Sequence, residues 1–118
     1  MKIFLLLLIA AFGYVQPTKW SECEVCAFVM TSLRRVFGDD DLRDSCPDCL
    51  APEALDRMVC DTLAEDTSDK DAIEFCYYLL RQVRSRDLIE EIMKLHPWYD
   101  RRTDRFCASE FELEDCRR

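Results

Sequence analysis

Eight cysteines are the residues of this sequence whose type and spacing could do chemistry. Two pairs have the C-x2-C step: Cys23-Glu24-Val25-Cys26 and Cys46-Pro47-Asp48-Cys49. Such pairs hold zinc, exchange electrons with other thiols, or take part in structural disulfides. Each use demands different surroundings. Nineteen residues separate the two pairs, close to a four-cysteine zinc spacing. Zinc, however, wants each pair in a tight knuckle, whereas Cys23 and Cys26 head an apolar stripe of helical period, so no metal is expected. A redox pair sits at a helix N-terminus after a strand. No strand pattern precedes Cys46, and the carboxylates of Asp44 and Asp48 disfavour a thiolate.

The third use depends on the compartment. Residues 1–16 read MKIFLLLLIAAFGYVQ, with Lys2 ahead of an apolar run from Ile3 to Phe12. Ten helical residues reach only about 15 Å, half of a bilayer core. The expectation is a secretory signal peptide over 1–16 and a single domain over 17–118, exported through the ER without a membrane span. The terminal EDCRR is not an ER-retention signal. The sequence contains no Asn and so no N-glycosylation acceptor. In an exported chain an even number of cysteines reads as disulfides. Eight of them allow on the order of a hundred pairings.

The elements that must position these sulfurs read as helices. Cys23, Cys26, Met30, Leu33 and Phe37 step by 3, 4, 3 and 4, one face of a helix. Ser21 and Glu24 form a capping box at its start, and Gly38 with Asp39–Asp41 ends it. Residues 38–51 read as a loop. Pro52 suits the first turn of a second helix with Leu55, Met58, Val59 and Leu63 inside. A third starts at Ser68 or Asp69 and buries Ile73, Cys76, Tyr77, Leu80 and Val83. A fourth begins at Ser85 or Asp87, or continues the third past a bend, with Leu88, Ile89, Ile92, Met93 and Leu95 inside; Pro97 stops it. Residues 97–105 read as a polar connector to a short last helix with Cys107 and Phe111. The nine-residue step from Cys107 to Cys116 turns to the opposite helix face, so Cys116 is expected past that helix's end. The fold class is therefore all-α: four to five helices around a core thin enough to need covalent ties.

On this layout Cys23 and Cys26 share an inner face and can reach one partner element. Cys107 and Cys116 are the only late pair, which suggests two bonds from the first helix to the last segment, their order left open. Cys60 and Cys76 would close a helical hairpin, leaving Cys46 and Cys49 to each other.

An early C-x2-C on an amphipathic helix, a middle pair and a late pair resemble the saposin-like superfamily. CEVC at 23–26, FCYYL at 75–79 and the 31-residue step from Cys76 to Cys107 are most similar to the N-terminal domain of the MANF/CDNF (ARMET) family. The resemblance runs from Glu22 to Cys116. It implies a compact saposin-like domain with bonds Cys23–Cys116, Cys26–Cys107 and Cys60–Cys76. It also implies a secreted, growth factor-like protein that binds lipid, a membrane surface or a protein partner.

Charge narrows the partners further. The formal net charge is −8; residues 17–76 carry −9, and residues 77–118 balance. Such acidity excludes nucleic acid as a partner. His96 is the only histidine, with no Gly-rich phosphate loop and no Gly-x-Ser-x-Gly, so neither an enzyme nor a cofactor is expected. Two surfaces remain as binding candidates. Arg81, Arg84 and Arg86, joined by Lys94, Arg101, Arg102 and Arg105, would suit sulfate or phosphate head groups. Trp20, Phe28, Val29, Val36, Trp98 and Tyr99 would offer an apolar face to lipid.

Overall fold

The structure, a computed structural model, describes residues 19–117. Every regular element among the described residues is helical. Four long helices form the body: α1 (Glu22–Phe37), α3 (Pro52–Asp66), α4 (Lys70–Arg86) and α6 (Arg101–Phe111). Two short ones, α2 (Asp40–Ser45) and α5 (Ile89–Ile92), fill the connections. Single 3-10 turns stand at Pro47–Leu50 and Glu114–Cys116. None of these helices is long and apolar enough to cross a membrane. The expected signal peptide lies outside the described residues.

Local chemistry sets the boundaries. Ser21 caps α1 with its side chain on the Glu24 N–H, while the Glu24 carboxylate accepts the Ser21 N–H at 2.8 Å. Pro52 occupies the first turn of α3, where its missing N–H costs nothing. Asp69 caps α4, accepting the N–H groups of Asp71 and Ala72. That helix ends at Asp87, whose φ of 54° turns the chain out of the helix. Asp100 caps α6 in a second capping box, with Thr103 answering.

α1 runs through the middle of the molecule. It packs chiefly on α4 and α6 and only lightly on α3. This central position explains why its buried face is wider than the stripe in the sequence: Val25 and Val29 are as buried as Cys26, Met30 and Leu33. Met30, Leu33, Leu63, Leu79, Leu80 and Ile92 are the largest fully buried side chains. Burying each contributes about 1.5–3 kcal/mol.

Several elements depart from the sequence reading. The stretch 38–51 is not an open loop: Asp39 accepts the Leu42 N–H at 3.1 Å and starts α2, and acids fill its first turn. On α4 the buried set is Ala72, Cys76, Leu79, Leu80 and Val83, while Ile73 and Tyr77 are half-buried at its edges. The fourth helix shrinks to one turn, with only Leu88 and Ile92 buried. Residues 101–105 are not a connector but the first turns of α6, because the Asp100–Thr103 box nucleates the helix there. Met58 points outward and is 37% exposed.

Four disulfides tie the elements. Cys23–Cys116 and Cys26–Cys107 join α1 to the 3-10 turn at 114–116 and to α6, across sequence separations of 93 and 81. Cys60–Cys76 joins α3 to α4 across 16, and Cys46–Cys49 closes a step of only 3. In the chain-entropy argument each of the two longest closures contributes about 4–5 kcal/mol, and the shortest about 2. Hydrogen bonds reinforce the same seams. The Cys23 N–H donates to the Asp115 carboxylate at 3.1 Å, and the Trp20 N–H to Asp69 at 3.3 Å. Four disulfides fit an oxidising environment.

Candidate functional site

Because α1 leans on α4 and α6, and α3 leans on α4, α1 and α3 stand apart along part of their length. A groove of about 420 Å³ opens between them. Its α1 wall uses Phe28, Ser32 and Val36, a step-of-four row distinct from the core row. Met58, Val59 and Thr62 of α3 face them. The end of the groove is closed by Asp39 and Leu42 from the cap and first turns of α2. The lining is divided almost evenly between the apolar side chains of Phe28, Val36, Leu42, Met58 and Val59 and the polar ones of Ser32, Thr62, Asp39 and Arg35.

Aromatic contacts fix the ends of this wall. Trp20 packs edge-on against Phe28 with ring centres 6.0 Å apart. Arg35 lays its guanidinium over the Trp98 ring at 4.2 Å, a cation–π contact that places a fixed positive charge at the groove's rim. Beside it, the Arg34 Nε–H donates to the Leu95 carbonyl at 2.7 Å and latches α1 to the chain after α5.

The structure divides the cations singled out by sequence. Arg84 makes a two-pronged pair with Asp56 at 2.8 and 2.9 Å, which holds its guanidinium above its ordinary pKa. Arg86 reaches Glu110 at 2.7 Å, Lys94 reaches Glu91 at 3.3 Å, and Arg102 reaches Asp100 at 2.9 Å. The Asp100 carboxyl falls below its usual range, chiefly through the Arg102 bond. Arg81, Arg101 and Arg105 make no ion pair among the described residues. Arg101 and Arg105 line a depression with Tyr99, Asp104 and Cys116. The Tyr99 hydroxyl donates to Asp104 there at 2.6 Å.

The apolar candidates divide too. Val29 is core, with no exposed surface, while Trp20, Phe28 and Val36 are half-buried against it. Trp98 and Tyr99 are 58% and 57% exposed. Leu42, Met58 and Thr62 joined the site unannounced, because an element read as loop and a residue read as core carried no surface signal.

The sulfurs leave no thiolate ligands. The four cysteines of the zinc-like spacing are distributed over three separate disulfides. Cys23, Cys116 and Asp104 lie within metal-ligand reach of one another, but the two sulfurs are bonded to each other. His96 is exposed, and its Nδ1 accepts the Trp98 N–H at 3.1 Å. No protein-family model, curated protein or solved structure matches this chain.

Proposed function

We propose that this chain is a secreted, non-enzymatic, saposin-like domain related to the N-terminal domain of the MANF/CDNF family, and that it binds a single-chain lipid in the groove between α1 and α3. The observation that carries this reading is the groove: a cleft of ligand-site size, about 420 Å³, in which Phe28, Val36, Leu42, Met58 and Val59 share the lining with Ser32, Thr62, Asp39 and one fixed cation, Arg35. An acyl chain would lie along Phe28, Val36, Leu42 and Met58. Its anionic head would meet the Arg35 guanidinium. Export is supported by the Lys2 and Ile3–Phe12 pattern and by the disulfides. A protein receptor is the other partner that the family resemblance supports.

Displacement of a dansyl fatty acid tests the reading. The wild-type chain binds the probe, and Met58→Glu, at a position 37% exposed, weakens binding at least tenfold while the variant still unfolds in one cooperative transition. Across saturated fatty acids affinity climbs with chain length, by about 0.8 kcal/mol per buried methylene, until the groove is full. No binding, or equal binding by the variant, contradicts the reading.

Trp98 and Tyr99 favour a second reading, a membrane-perturbing effector. Adjacent exposed aromatics of this kind settle at a bilayer interface. Dye release from anionic vesicles between pH 4 and 7 would favour it; lipid binding without release favours the carrier.

A further inference from the structure

The Cys46–Cys49 disulfide differs from the other three in access and in the length of chain it closes. Both of its cysteines are half-buried, whereas Cys26, Cys60, Cys76 and Cys107 have no exposed surface and Cys23 and Cys116 are each 7% exposed. Exchange needs an external thiolate to reach a sulfur, so burial blocks it. The bond also closes a step of 3 against 93, 81 and 16. A long closure stabilises the fold, and by linkage the fold protects that bond from reduction by the same amount; a short closure receives little protection. Nor does the core depend on this segment, which local hydrogen bonds and this bond hold in place. The Cys46 N–H already donates to Leu42 and the Cys49 N–H to Cys46, and neither α2 nor the 3-10 turn buries a residue.

The surroundings select the attacker. Asp39, Asp40, Asp41, Asp44 and Asp48 crowd this segment, and its one cation, Arg43, is paired with Asp40. Their field repels an anionic thiol and draws a cationic one.

We propose that Cys46–Cys49 is an exchangeable disulfide, opened by an external dithiol in neutral or basic surroundings while the other three bonds stay closed. One thiolate of the dithiol attacks a sulfur of the pair, and the S–S bond breaks. A mixed disulfide forms, and the displaced cysteine leaves as a thiolate that takes a proton from water. The dithiol's second thiolate then attacks the mixed disulfide, frees the other cysteine and leaves the dithiol oxidised, so two electrons pass to the protein. α2 supplies Asp39 and Leu42 to the groove, so opening the bond loosens that wall; this consequence alone rests on the lipid reading.

Graded reduction of the native protein with dithiothreitol, followed by alkylation and peptide mass mapping, tests the site. Cys46 and Cys49 become alkylated at reductant levels at least tenfold below those that expose any other cysteine. Another pair opening first, or all eight opening together, overturns the proposal. The ratio of opening rates with cysteamine and with reduced glutathione, each normalised to a small neutral disulfide, exceeds threefold at low salt and approaches one at high salt. A ratio indifferent to salt overturns the charge selection. The Cys46→Ser/Cys49→Ser variant binds the dansyl fatty acid at least threefold more weakly than wild type, and unchanged affinity overturns the link to the groove. If the oxidised wild type does not bind the probe at all, the lipid reading fails while the alkylation result stands.

Discussion

The body of the molecule and the segment from Gly38 to Ala51 are built on opposite plans. In the body, α1, α4 and α6 bury Met30, Leu33, Leu79 and Leu80 together, and three buried disulfides join residues 16 to 93 positions apart. In the segment, α2 and the 3-10 turn bury nothing, and the stretch as a whole carries five aspartates and closes its own disulfide over 3 positions. A bond that spans distant elements lowers the entropy of the unfolded chain; a bond between near neighbours mostly shapes a surface. Four similar covalent bonds therefore divide into three that hold the fold and one that holds an edge of the groove.

This contrast breaks most visibly at the long closures. Cys26→Ser/Cys107→Ser loses about 4–5 kcal/mol of stability in urea unfolding, whereas Cys46→Ser/Cys49→Ser loses about 2 kcal/mol or less. Equal losses would erase the distinction. Next comes the core that the long closures surround: Leu79→Ala costs about 2–5 kcal/mol, and Leu42→Ala, on the half-exposed edge, costs under about 1.5 kcal/mol in the same assay.

A smaller effect follows from pH. Burial pushes the Asp69 carboxyl up, but the N–H groups of Trp20, Ala72 and Asp71 and the Lys19 charge outweigh it, so its pKa lies below the ordinary 3.8. Asp100 is lowered likewise. A depressed carboxyl stabilises the fold above its unfolded pKa, and this contribution is lost as pH falls through the folded value. Asp69→Asn should therefore lower the melting temperature at pH 6, and the gap to wild type should close as pH drops below 3.8. Smallest of all, Glu112 ends α6 with φ at 56°, a conformation that strains a side chain. Glu112→Gly should raise stability by about 0.5–1 kcal/mol in thermal unfolding.

Much of this architecture is legible in the sequence where local and tertiary demands agree. The Ser21–Glu24 box, Pro52 and Asp69 mark helix starts because capping is decided within a few residues. The layout of the cysteines points to ties between the chain's two ends. Periodicity could not order those ties, since Cys23 and Cys26 occupy the same face of α1; three-dimensional placement assigns Cys23 to the turn after α6 and Cys26 to α6 itself. Illegible parts are those that depend on neighbours. Ile73 and Tyr77 fit the apolar period of α4, but the packed side of that helix is the one with Ala72 and Leu79 instead. The groove escaped because it is a gap between helices, and no periodicity encodes how far apart α1 and α3 stand. The cations read as a head-group patch are divided by their partners: Asp56 and Glu110 come from other helices, which no spacing rule connects to Arg84 and Arg86.

The central claim is that the stapled body holds α1 and α3 apart as a lipid-sized cleft. Methyl-selective NMR during titration with a spin-labelled fatty acid tests it most directly. Paramagnetic broadening should fall first on the methyls of Val36, Leu42, Met58 and Val59, and spare the buried methyls of Leu79 and Leu80. Broadening spread evenly over the surface, or none at saturating ligand, would contradict the claim.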